Sequence, residues 1–130
     1  MPEQPTPEFQ ALPEDEVYRE IYANNVFFEP SGWDMKLIFG QLDQRTGKIA
    51  VRQHTAVTLP WAQIKLMLYW LQGHLELHEK FNGKVRIPFN AIPGEIQPPS
   101  EELRKHDPNV DAAFGIFQKF REKLVEEQKA

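Results

Sequence analysis

One stretch carries helical apolar spacing more strongly than any other: Thr58 to Gly83, TLPWAQIKLMLYWLQGHLELHEKFNG. At about 100° per residue, Trp61, Ile64, Leu68, Leu71 and Leu75 fall on one face, with His78 in line. Leu66, Trp70, Leu77 and Phe81 form a second stripe, and Met67 and His74 lie between the two. Lys65, Tyr69, Gln72, Glu76, Glu79 and Lys80 are left for solvent. A helix on one sheet needs an apolar arc of about 100° or slightly more, and this one is apolar over roughly twice that. The second stripe therefore calls for a second partner. Pro60 suits the first helical turn, Thr58 or Leu59 the N-cap, and Asn82-Gly83 the stop.

Upstream, the period changes to two. IYANNVFFE (21–29) reads as a strand despite its two asparagines, and Pro30-Ser31-Gly32 as a turn. WDMKLIFGQL (33–42) alternates, with Met35, Leu37 and Phe39 on one side and Asp34 and Lys36 on the other. Asp43 to Gly47 reads as a hairpin loop. KIAVRQHTAVTL (48–59) is a third strand, with Ile49, Val51, Thr55 and Val57 on one face and Arg52 and His54 on the other. KVRIPF, from Lys84, suits a short edge strand that Pro88 would end.

The ends differ in character. Residues 1–16, MPEQPTPEFQALPEDE, are rich in proline and acid and are expected to form a disordered arm, in which only Phe9 and Leu12 offer apolar contacts. Residues 89–107 read as a proline-rich linker, and 108–130 as a C-terminal helix and tail. Along that helix Val110, Ala113, Phe117, Phe120 and Leu124 repeat at 3-4-3-4 spacing, beside Phe114 and Ile116.

With 130 residues, the chain can build one domain with a core. The charge is unevenly placed. Residues 1–20 carry six acids against Arg19, the stretch 21–94 carries eight Lys/Arg against five acids, and 95–130 carries six against eight. A mildly basic centre between acidic ends is no global signal for nucleic acid. The absence of cysteine excludes disulfides and thiol chemistry. No signal-peptide pattern opens the chain and no apolar run approaches a membrane span, so a cytoplasmic chain is expected.

Three pieces resemble a bacterial domain-of-unknown-function family (number 3467), over residues of about 17–87. EIYANNVFF (20–28) looks like that family's "IYAN" strand, and DMKLIFGQL (34–42) stands in the place of its "EFxxDF" strand. VTLPWAQIKLMLYWLQGHLELHEKFNG (57–83) looks like its strand-to-helix run, with Pro60, Lys65, Leu68, Glu79, Phe81 and Gly83 at matching or near-matching places. Leu59 departs from the usual Ser or Thr cap, and Trp61, Tyr69, Trp70 and His74 make this helix more aromatic. The resemblance implies a small β-meander-plus-helix domain and no activity. Strands followed by a helix are also similar, in topology only, to subunits of the SecB export chaperone.

Little else suggests chemistry. His74 and His78 at i, i+4 could share a metal, with His54 as a third nitrogen, but Leu75 stands where a metalloprotease helix has Glu. A packed or interfacial histidine is the ordinary explanation, so no metal is assigned. Arg45, Lys48, Arg52, Lys84 and Arg86, with Phe27, Trp33 and Phe39, are the material for a base-stacking sheet, without its glycine–aromatic motif. Ser31 and Ser100 lack a nucleophile elbow. No catalytic residue, cofactor or membrane contact is expected.

The expected fold is α+β: a three- to four-stranded antiparallel meander packed by one long helix (17–88), plus the C-terminal amphipathic helix. The expected function is a non-catalytic interaction module, a homodimer or higher homo-oligomer joined through Leu66, Trp70, Leu77 and Phe81, with an unidentified protein as a further partner. A nucleic-acid-binding accessory protein and a holdase-like chaperone are the alternatives.

Overall fold

The computed structural model describes residues 3, 4, 6–43 and 50–129. The chain divides into two units, Met1–Leu71 and Gln72–Ala130. In the first, β1 (Asn25–Pro30), β2 (Asp34–Asp43) and β3 (Ala50–Pro60) form an antiparallel sheet in chain order. The helix α1 (Trp61–Asn82) follows β3 without a loop and runs on into the second unit. There α2 (Glu101–His106) and α3 (Val110–Lys129) complete the α+β order of meander, long helix and C-terminal amphipathic helix.

Local chemistry accounts for each boundary. Ser31 closes the β1–β2 turn: its N–H donates to Asp34 O at 2.8 Å, and its Oγ accepts from the N–H groups of Trp33 and Asp34. Glu29 pairs across the strands with Lys36, 3.6 Å apart. Strand β3 stays extended through Pro60, which pairs with Asp34. The helix thus begins at Trp61, and neither Thr58 nor Leu59 caps it, because the ladder with β2 holds both extended. Gly83 ends α1 as expected, at φ 88°, with its N–H on Glu79 O.

The first strand begins at Asn25, four residues later than its apolar pattern suggests. Asn24 explains the difference. Its N–H donates to Gly40 O at 3.1 Å and its Oδ1 accepts from Leu42 N–H at 2.8 Å, so a side chain continues the ladder where the backbone stops. The expected fourth strand is absent among the described residues. Val85 N–H donates to Glu79 Oε2 and Ile87 N–H to Gln128 Oε1, so side chains take the bonds that an edge strand would offer. Within the region read as linker, Ser100 caps α2 by accepting from Leu103 N–H, with Glu101 and Glu102 in the first turn. The loop after Asp43, with Arg45, Lys48 and Ile49, lies outside the described residues.

A bulge re-aims one end of β3. Phe39 pairs with Thr55 but Gly40 with Gln53, so His54 is an extra residue. An extra residue reverses the parity of everything beyond it. Val51 therefore pairs with Leu42 and shares the face of Gly40 and Ile38, not that of Thr55 and Val57 as simple alternation suggests. Gly40 is required at this crossing: a Cβ there would sit 2.7 Å from Val51 Cγ1 and 2.8 Å from Arg52 O. Gly40→Ala is expected to cost about 1–3 kcal/mol of stability, because backbone cannot retreat as a flexible side chain would. Urea unfolding would read this as a lower midpoint at unchanged slope, and an unchanged midpoint would refute it.

Candidate functional site

The sequence singles out the second stripe of α1, and all four of its residues are more than half exposed. Leu66, Trp70, Leu77 and Phe81 are 54%, 60%, 54% and 74% exposed. They lie on one continuous helix, none of whose residues is buried. Trp70 stands edge-on to Tyr69, with centroids 5.1 Å apart, and Lys80 Nζ lies 5.9 Å from the Phe81 ring centroid. An aromatic side chain can bury roughly 150–250 Å², so Trp70 and Phe81 alone present some hundreds of Å² of apolar surface.

The first stripe is only partly used. Trp61 Nε1–H donates to Ser31 O at 3.0 Å, which fixes the first turn of α1 to the β1–β2 turn, and Ile64 is half-buried. Packing the first stripe on the sheet would set Leu68 and Leu71 on a Met35–Leu37–Phe39–Val51 face. Both remain about half exposed, and Leu75 does too. Two causes are visible in the sheet. Val51 is on the opposite face because of the bulge, and residues 17–23 already occupy one end of the expected face. Val17, Arg19, Ile21 and Ala23 line a 470 Å³ hollow there with Phe39, His54 and Thr55. His54 pins this crossing: its Nε2 lies 3.1 Å from Tyr22 O and its Nδ1 2.8 Å from Thr55 Oγ1.

The apolar face of α3 is an internal surface that could cover the second stripe. In the second unit α3 approaches a different flank of α1. A 780 Å³ cleft there is lined by Gln72, Leu75, Glu76 and Glu79 of α1, by Lys84, Val85 and Ile87, and by Lys123, Leu124, Glu127 and Gln128 of α3. Arg86 Nη1 donates to Gln128 O at 3.0 Å, closing the same contact. Phe117 and Phe120, on the apolar face of α3, are themselves well exposed.

The other candidates do not converge. Among the described residues no three His, Asp or Glu side chains gather as a metal would need. His78 Nδ1 lies 3.5 Å from Asn82 Nδ2, and Asn82 also donates to His78 O. Of the basic residues, Arg52 pairs with Asp43 at 3.2 Å and Arg86 is held by Gln128. No helix among the described residues is long and apolar enough to cross a membrane. Residues 6–16 are exposed and form neither helix nor strand. A chain starting at Glu16 should therefore melt within about 3 °C of the full chain, since exposed termini carry little stability. A larger fall in Tm would show that the arm docks.

Asn24 and His54 are structural hinges that the periodic reading passed over. An asparagine pair just before an apolar run is a legible signal, because Asn side chains mimic backbone. The bulge left a weaker trace, a break in the alternation between Val51 and Thr55.

No curated protein and no solved structure matches the chain. Residues 1–87 match a described family, a span that holds the sheet, all of α1 and also the N-terminal arm. Over two thirds of its length, then, the chain belongs to the family described as Protein of unknown function (DUF3467).

Proposed function

We propose that the protein is a non-catalytic interaction module that self-associates, most simply as a two-fold dimer, through Leu66, Trp70, Leu77 and Phe81 of α1. The carrying observation is that a helix apolar over both stripes has no buried residue, although helices of this kind are normally enclosed. The exposed apolar surface of α1 is of the sort that marks an interface. Closed two-fold symmetry covers such a surface with one repeated contact.

Molar mass across a dilution series tests this reading. A mass that rises from one chain to two or more at micromolar concentration supports it, and a single-chain mass throughout overturns it. Of the basic residues behind the nucleic-acid alternative, Arg52 forms an ion pair with Asp43. A holdase would use the same aromatic surface, so a constant single-chain mass combined with suppressed aggregation of an unfolded client would favour that function instead.

A further inference from the structure

We infer that the free edge of β3 pairs with β3 of a second copy, antiparallel about a two-fold axis at Val57. This contact is separate from the helix face and does not rest on it. The ladder itself shows which groups point outward. Asp34 O and Gly40 O accept from the β1 side, from Ser31 and Asn24, so even-numbered residues of β2 turn their backbone polar groups to β1 and odd-numbered ones to β3. Met35, Leu37 and Phe39 oppose Leu59, Val57 and Thr55, so these three residues of β3 bond inward. Ala56 and Thr58 between them bond outward, and no hydrogen bond reaches their backbone groups from the described residues outside the ladder.

Between the bulge at His54 and the terminal Pro60, the edge of β3 carries little of the usual protection. From Val51 to Leu59 it carries no proline, no lysine and one charge, Arg52. Both strands end in proline, but β1 is six residues long and β3 eleven. Among the described residues β3 is the extended segment best suited to fill the place, since residues 17–23 are already engaged within the chain at His54. The N-terminal arm is interrupted at Pro5, Pro7 and Pro13, which cannot donate. Residues 84–88 already give the N–H groups of Val85 and Ile87 to Glu79 and Gln128.

The bulge at His54 limits regular pairing to the stretch beyond it and so sets the register. With the axis at Val57, Ala56 exchanges bonds with the partner's Thr58, and Thr58 with the partner's Ala56. Val57 faces the partner's Val57 across a non-hydrogen-bonded position, an apolar β-branched pair. Arg52 falls outside the paired stretch, so like charges are not set opposite one another. The three-stranded sheet becomes six-stranded.

A Val57→Cys variant of the full chain tests the register directly, because the chain has no other cysteine. Non-hydrogen-bonded partners have Cα atoms about 4.5 Å apart, within disulfide range. In a glutathione redox buffer Val57→Cys should form a covalent dimer at least about tenfold faster than Gln53→Cys, whose two copies would be several residues apart. The cross-link should persist when Trp70→Glu is added, which separates this contact from the helix face. In the wild type, amide exchange at Ala56 and Thr58 should slow roughly tenfold between dilute and concentrated protein, while Val26 and Phe28 on the β1 edge stay unchanged. Equal cross-linking at the two positions, or exchange at Ala56 and Thr58 that ignores concentration, overturns the inference.

Discussion

Trp70→Glu is expected to abolish the helix-face contact in a chain that stays folded, so that any association left is that of the β3 edge. Trp70 is 60% exposed in the single chain. What the substitution removes is burial in the associated state. Burying a large apolar side chain contributes about 1.5–3 kcal/mol. A carboxylate enclosed there without a partner costs several kcal/mol more. Each 1.4 kcal/mol is a factor of about ten, so dissociation should strengthen at least about a hundredfold. A two-fold interface meets the change twice, once from each chain. Tyr69→Glu is the matching control: Tyr69 is 66% exposed but lies on the solvent side of the helix. That variant should keep the wild-type mass. Sedimentation gives the masses and far-UV circular dichroism confirms that each variant is folded. A folded Trp70→Glu chain whose mass matches that of the wild type across the whole dilution series would remove α1 from the interface.

The parts legible in the sequence were those governed by period and punctuation. Alternation located β2 to within a residue at each end, and the 3.6-residue repeat with Asn82-Gly83 located the end of α1. Those signals are local, since a pleat or a helical turn repeats whatever the rest of the chain does. The start of α1 was harder to read. Thr58 is a sound cap in isolation, but pairing with β2 keeps it extended, a tertiary influence that overrides local preference. The face assignment of Val51 failed for a related reason: one inserted residue at His54 reverses parity, and composition does not announce it. Helix α2 was legible and was missed, because the nearby prolines drew attention from Ser100-Glu101-Glu102, a cap followed by acids. For the candidate site, the surplus of apolar arc on α1 was evident from the start. What the sequence withheld was which surfaces compete for it. The crossing of residues 17–23 over the sheet and the approach of α3 to Leu75 and Glu79 depend on contacts far apart in the chain.

Leu37→Ala should be the most damaging single truncation to the fold, as distinct from its association. Leu37 is 5% exposed and is the one buried large apolar side chain among the described residues. It sits mid-way along the central strand, opposite Phe28 on one side and Val57 on the other. Removing a buried leucine side chain costs about 2–5 kcal/mol, because transfer free energy is lost and a cavity stays behind. Small domains are stable by only about 5–15 kcal/mol, so the loss is a large share. Phe28→Ala removes a bigger side chain from the neighbouring strand but from a position 61% exposed. Most of its ring is already in water, so about 1 kcal/mol or less is expected, at the scale of a cross-strand pair. The comparison belongs at high dilution, where association adds nothing to the unfolding free energy. Raising the protein concentration should then raise Tm for wild type and Leu37→Ala alike, because α1 is unaltered in both. An equal loss for Leu37→Ala and Phe28→Ala at high dilution would show that Leu37 is not the centre of the sheet's packing.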